Sequence, residues 1–85
     1  MASPGMMALW FNWKRQLQTL QDEYARLERE YDEIYVSLPY DNPEDQSDAE
    51  WAMLYRRQQM KDIMELRREI ENNLISSGCP GWGAS

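Results

Sequence analysis

Residues 10–38 of this chain read WFNWKRQLQTLQDEYARLEREYDEIYVSL. Large apolar side chains recur in this segment at alternating steps of three and four, from Trp10 to Leu38, without a break. A seven-residue repeat with two apolar positions is typical of a helix that packs along one edge against another helix. The segment therefore predicts a long helix with a single apolar seam.

The first helix is expected over about residues 4–38. Ser3 is a suitable N-cap, because its hydroxyl can accept a hydrogen bond from a free backbone N–H, and Pro4 is favoured in the first helical position. At the other end, Pro39 disfavours helical backbone at Leu38. These signals bound the apolar repeat on both sides.

A turn rich in proline and acidic residues is expected at residues 39–46, and the second helix starts close to it. Two starts fit the sequence. Asn42 could cap the helix with Pro43 in the first position, or Ser47 could cap it with Glu50 reaching back in a capping box. We expect the start near Pro43.

The second helix is expected to extend over about residues 43–77. Gly78 can adopt the left-handed conformation that ends helices, and Pro80 cannot continue one. The remaining residues, 78–85, are rich in glycine and are predicted to be a flexible tail.

A second apolar stripe matches the first. When the chain is folded back so that paired residue numbers sum to 87, eight positions of the first helix meet eight of the second, and six of these second-helix residues are apolar. The pattern predicts an all-α fold, an antiparallel coiled-coil-like hairpin forming one domain over residues 1–85. The predicted seam residues are Trp13, Leu17, Leu20, Tyr24, Leu27, Tyr31, Ile34, Leu38, Ala49, Met53, Arg56, Met60, Ile63, Arg67, Ile70 and Leu74.

Arg56 and Arg67 are the charged exceptions on this seam. Their stems could pack while the guanidinium groups extend outward to solvent. Alternatively, they could form polar contacts across the seam that fix the register. The candidate partners are Tyr31 and Asp32 for Arg56, and Glu23 and Tyr24 for Arg67.

Several large apolar residues lie off the seam, where a two-helix hairpin cannot cover them. Exposed apolar clusters of this kind usually mark interfaces, so we expect two hairpins to dimerise into a four-helix bundle. The alternative is that the turn and tail fold back, with Trp82 stacking on Trp10 or Trp13. The candidate interface residues are Tyr35, Tyr40, Trp51, Leu54 and Tyr55 near the turn, and Phe11 and Trp82 at the other end.

The composition argues against catalysis. The chain has no histidine and a single cysteine, Cys79, so we predict no catalytic residue, no metal site and no cofactor. The lone cysteine does not require an oxidising compartment, which favours a cytoplasmic protein. The most apolar stretch, residues 6–11, is too short to span a bilayer.

The net charge of −6 is local. Five of the fifteen acidic residues lie within residues 41–50, a stretch without lysine or arginine, and the other ten nearly balance the nine basic residues. Direct binding to nucleic acid through a basic face is therefore not expected.

These observations favour a small non-catalytic protein–protein interaction module, such as an adaptor, an assembly factor or a viral or bacterial accessory protein. Its expected partners are a second copy of itself and another protein. One alternative is an acidic inhibitor that mimics nucleic acid. Another is a subunit of a helical polymer. The length and the proline-bracketed turn at residues 39–43 are loosely similar to type III secretion needle subunits, from which the chain differs in its regular heptads, turn spacing and glycine-rich end.

Overall fold

The computed structural model describes residues 3–82, which form two long helices, α1 (Pro4–Val36) and α2 (Pro43–Ser76). The all-α prediction is confirmed, since the two helices pack against each other. The indole Nε1 of Trp10 donates a hydrogen bond to Ser77 Oγ at 2.8 Å, which joins the beginning of α1 to the end of α2. The helices are therefore antiparallel, and this pair lies in the predicted register, where paired numbers sum to 87.

Helix α1 begins where the sequence predicted and ends two residues early. The Ser3 side chain accepts a hydrogen bond from the Met6 N–H at 3.2 Å, and Pro4 follows in the first position. At the other end, the Ser37 hydroxyl donates to the Glu33 carbonyl at 2.7 Å. This bond satisfies one of the last carbonyls of the helix, and Pro39 disfavours helical backbone at Leu38, so the helix ends before that residue.

Helix α2 begins at the earlier of its two candidate starts. Asn42 Oδ1 accepts from the backbone N–H groups of Glu44 and Asp45 at 3.1 and 3.3 Å, and Pro43 occupies the first position. Two acidic residues in the first turn also interact favourably with the helix dipole. Residues 43–46 are thus helical, and most of the acidic stretch predicted as a turn belongs to α2.

The end of α2 is a Schellman motif. Gly78 has a φ of 80°, the Cys79 N–H donates to the Leu74 carbonyl at 3.1 Å, and the Gly78 N–H donates to the Ile75 carbonyl at 3.1 Å. This motif normally includes an apolar contact between the two residues that correspond to Leu74 and Cys79. Both are buried here, and both belong to the same core cluster.

A second tight turn follows at once. Pro80 and Gly81, with φ of 83° at the glycine, occupy the central positions that a type II turn prefers, and the Trp82 N–H donates to the Cys79 carbonyl at 3.3 Å. The turn returns Trp82 to the core cluster. The predicted flexible tail is therefore folded back over residues 78–82, and residues 83–85 lie outside the described part of the chain.

The core is concentrated at the end of the hairpin opposite the connection. The hairpin measures 63 × 18 × 17 Å and has a radius of gyration of 18.3 Å, against about 12 Å for a compact domain of this length. Within residues 3–82, no residue between Leu27 and Ile63 is buried. The core cluster contains Leu17, Ile70, Leu74 and Cys79, with Trp10, Trp13, Leu20 and Trp82 packed against it.

Candidate interaction surface

The predicted seam residues all lie buried or half-buried, and this includes the two arginines. Leu17, Leu27, Ile63, Ile70 and Leu74 are the buried ones. The other seam residues are half-buried, which is the expected result for two helices that cannot enclose both edges of their own contact. The seam residues thus pack the two helices together, but the edges of this contact remain accessible to solvent.

Arg56 is held between the helices by a partner that the sequence did not predict. Its Nε lies 3.8 Å from Glu30 Oε2 on α1, and one terminal nitrogen donates to the Ala52 carbonyl at 3.1 Å. The distance to Glu30 permits an ion pair but exceeds hydrogen-bonding range, and the buried Nε has no hydrogen-bond partner among the described residues. Tyr31 and Asp32, the candidate partners in the alternative with polar contacts across the seam, do not contact the Arg56 guanidinium by a hydrogen bond or ion pair.

Arg67 pairs within its own helix. Its terminal nitrogen lies 4.0 Å from Glu71 Oε1, one turn further along α2, and both side chains are more than a third exposed. The contacts with Glu23 or Tyr24 across the seam, which were the alternative to an outward-extending guanidinium group, do not form. An ion pair of this kind contributes little to stability, about 0.5 kcal/mol or less.

The connection end of the hairpin carries a group of exposed apolar side chains, which we call the turn-end cluster. Trp51 is 67% exposed and Tyr55 is 64% exposed, which is unusual for side chains of this size in a folded domain. The complete turn-end cluster is Tyr35, Val36, Tyr40, Trp51, Leu54 and Tyr55.

The two predicted interface residues at the open end have different environments. Phe11 is exposed and remains a candidate for contact with a partner. Trp82 is half-buried against the core cluster, so it closes the open end of the hairpin and is not part of an exposed surface. The alternative in which the tail folds back therefore describes this end of the chain.

A broad groove of about 700 Å³ runs along one side of the hairpin, between the two helices. It was not predicted as a site, because its floor consists partly of seam residues. Its apolar lining is Tyr24, Tyr31, Leu54, Met60 and Met64. The signal that could have found it is Met64, an exposed apolar residue directly beside a seam position.

The rims of the broad groove carry opposite charges. Glu28 and Asp32 lie on the α1 rim, whereas Arg57 and Lys61 lie on the α2 rim. None of these four residues takes part in an ion pair within the described chain, so the charges face solvent across the groove. An acidic rim and a basic rim therefore flank one apolar floor.

A narrow groove of about 390 Å³ lies on the opposite side of the hairpin, nearer the open end. Leu20, Leu66 and Ile70 form its apolar part, and the rest of its lining is polar. By the heptad repeat, the lining residues Gln16 and Thr19 of the narrow groove lie on the opposite flank of the α1 seam from Glu28 and Asp32 of the broad groove, so the two grooves are on separate sides of the hairpin.

The described residues form no obvious chemical centre. Cys79 is buried, with its sulfur 3.8 Å from the Pro80 carbonyl oxygen. Within residues 3–82, no three potential ligands among His, Cys, Asp and Glu are grouped to hold a metal ion. Neither described helix contains a segment both long and apolar enough to cross a membrane.

The surface therefore offers apolar contact area flanked by charges of opposite sign. These are the elements of recognition between proteins. Comparison of the chain with family models, curated proteins and solved structures gives no match.

Proposed function

We propose that this chain is a small non-catalytic protein–protein interaction module whose first partner is a second copy of itself, two hairpins joining as a four-helix bundle. The observation that carries the proposal is the contrast between the two ends of the hairpin. The open end has a core cluster covered by Trp82, whereas the connection end has the exposed turn-end cluster and no buried residue between Leu27 and Ile63 of the described chain.

The energetics favour covering part of the turn-end cluster. An aromatic side chain that is more than half exposed, as Tyr35 is, leaves on the order of 100 Å² in contact with water, and burying that area contributes about 2.5 kcal/mol before the entropy of association is subtracted. A two-helix hairpin is also a small domain with marginal stability. Association supplies the missing core for the connection end.

The proposal places the module in the cytoplasm and leaves part of its surface free for another protein. The single cysteine is buried and can form no disulfide within the chain. Tyr40 is exposed in the connection and Tyr55 is exposed on α2, and neither lines either groove. A partner that recognises aromatic side chains would find them still accessible in a four-helix bundle.

The first test is the mass of the full chain in solution, measured by sedimentation equilibrium over about a thousandfold range of concentration. The proposal predicts a mass that rises from 10.2 kDa and saturates at twice that value. A mass that stays at 10.2 kDa throughout overturns self-association. A mass that continues to rise without saturation indicates the helical polymer instead.

A matched pair of leucine variants tests the surface. Leu54 belongs to the turn-end cluster and Leu66 lies in the narrow groove, and their exposures are similar at 54% and 48%. Leu54→Ser is expected to raise the dissociation constant about tenfold, because a buried leucine in the dimer loses its apolar contacts. Leu66→Ser is the control and is expected to leave the dissociation constant unchanged.

A further inference from the structure

We infer that the second copy covers the broad groove, and that the two connections lie at the same end of the resulting bundle. This inference rests on the proposed self-association and adds to it the face and the direction of docking. Two features of the described residues carry it. The first is the apolar surface along this side, which indicates the face; the second is the position of the rim charges along the length of the hairpin, which indicates the direction.

The apolar surface continues beyond the groove along the same side of both helices. Met7 and Phe11 precede the rim residues Glu28 and Asp32 by three heptads each, and Tyr35 follows Glu28 by one heptad. Residues separated by whole heptads remain on one side of a coiled-coil helix. All three apolar residues are exposed.

Helix α2 shows the same continuity. Leu54 and Met64 line the broad groove, and Ile75 follows Leu54 by three heptads. Six exposed apolar side chains on this side, at about 100 Å² each, provide on the order of 600 Å² per copy, the low end for a specific interface. They are Met7, Phe11, Tyr35, Leu54, Met64 and Ile75.

The opposite side is less suited to a second copy because it is acidic. Gln16 and Thr19 line the narrow groove, and the residues one and two heptads after each of them, on the same side of α1, are all charged. On α2, Leu66 also lines this groove and has an acidic residue one turn before it and another one turn after it. Two copies meeting here would bring like charges together. The charged residues are Glu23, Arg26, Glu30 and Glu33 on α1, and Asp62 and Glu69 on α2.

The rim charges fix the direction. Trp10 and Ser77 lie at the same height along the hairpin, and their numbers sum to 87. By the same rule Glu28 on α1 lies at the height of residue 59 on α2, midway between Arg57 and Lys61. If the two connections lie at the same end, a two-fold axis along the bundle places α1 of each copy beside α2 of its partner at equal level. The acidic rim of each copy then faces the basic rim of the other, twice in the dimer.

A second charge pair fits the same arrangement. Lys14 and Glu71 lie two heptads from Glu28 and Arg57 respectively, on the same side of the hairpin, and their levels differ by only two residues. With the connections at opposite ends, the rims would instead face the open end of the partner. There Glu28 and Asp32 would meet the single base Lys14, and Arg57 and Lys61 would meet the single acid Glu71, so only half of the rim charges would gain an opposite charge of their own. Complementary charges thus favour the arrangement with both connections together.

A charge exchange across the interface is the decisive experiment. Variant A carries Glu28→Lys and Asp32→Lys, which makes both rims basic, and variant B carries Arg57→Glu and Lys61→Glu, which makes both rims acidic. Each variant in isolation is expected to dimerise at least about tenfold more weakly than the wild type, and an equal mixture is expected to form an A–B heterodimer in native mass spectrometry.

The matched control is Glu33→Lys with Glu69→Lys, which changes the net charge as much as variant A does but on the opposite side of the hairpin. It is expected to retain the wild-type dissociation constant. A dimeric wild type whose variants A and B also dimerise normally, or fail to pair when mixed, overturns the inference and leaves self-association intact. A monomeric wild type overturns both.

A distance measurement tests the direction without relying on the charge variants. Asp41→Cys in a Cys79→Ala background allows one spin label to be attached at the exposed connection of each copy. The inference predicts a label separation comparable to the 18 Å width of the hairpin, and a separation comparable to its 63 Å length overturns it.

Discussion

Replacing Leu74 by alanine tests whether the open end holds the hairpin together. Leu74 is the one described side chain that is fully buried, at 0% exposure, and it packs in the core cluster with Leu17, Ile70 and Cys79. Truncation to alanine removes three carbon atoms whose burial contributes about 2.4 kcal/mol, and the remaining cavity brings the expected loss in the free energy of unfolding to about 3 to 4 kcal/mol.

Leu66→Ala is the matched control, because it is the same chemical change in the same helix at a side chain that is 48% exposed. Its expected loss is about 1 kcal/mol. Both free energies should be measured by urea denaturation followed by circular dichroism, at protein concentrations low enough to avoid association. Complete loss of helical signal for Leu74→Ala at 25 °C would agree with the expectation, since a domain of this size has a stability of only about 5 kcal/mol. Equal losses for the two variants would refute this assignment of the core.

Three further substitutions test local features of the fold by urea denaturation. Gly78→Ala is expected to lower the free energy of unfolding by about 1 to 2 kcal/mol, because the residue has a φ of 80°. Gly5→Ala is the control: it lies inside α1 with nothing near the added methyl group, and it should raise the free energy of unfolding by up to about 1 kcal/mol. Equal effects of the two substitutions would contradict the Schellman motif. Asn42→Ala should cost about 1 kcal/mol through loss of the N-cap, while Ser47→Ala should have little effect, and the reverse ranking would place the start of α2 at the later site. Arg56→Met is expected to leave the free energy of unfolding unchanged or to raise it by up to about 1 kcal/mol, because the buried Nε of Arg56 has no hydrogen-bond partner among residues 3–82. A large decrease would show instead that the ion pair with Glu30 stabilises the hairpin.

The hairpin was predictable because the heptad repeat is a direct consequence of helix geometry. Two stripes with mirrored spacing leave one antiparallel alignment, and the Trp10–Ser77 hydrogen bond lies in that alignment. The signals for the helix starts were also local, since a capping side chain followed by proline specifies both Ser3–Pro4 and Asn42–Pro43.

The folded end of the chain was not predictable in the same way. Glycine and proline in residues 78–81 are compatible with a flexible tail and equally with two consecutive tight turns. What distinguishes the two is the burial of Cys79 against the helices, which depends on tertiary contacts and leaves no periodic signal in so short a segment.

The broad groove was missed for a different reason. Seam residues such as Tyr24 and Tyr31 were expected to be enclosed, but two helices cover only the centre of their contact and leave the edges accessible. The partners of the charged side chains were equally hard to predict. For example, a terminal nitrogen of Arg26 lies 3.6 Å from the Glu23 carboxylate, and Arg26 pairs with neither Asp22 nor Glu30, the acidic residues four positions away. Alternative exposed ion pairs differ little in free energy, so the sequence does not decide between them.

The core cluster stabilises the open end of the hairpin, and we propose that a second copy stabilises the connection end. Residue-resolved amide hydrogen exchange of the full chain at two protein concentrations, one above and one below the dissociation constant, distinguishes these two sources of stability. We predict that protection of the helical amides between Leu27 and Ile63 rises with concentration, while amides around Leu17 and Leu74 are protected at both concentrations. Protection that is independent of concentration along both helices would contradict the account.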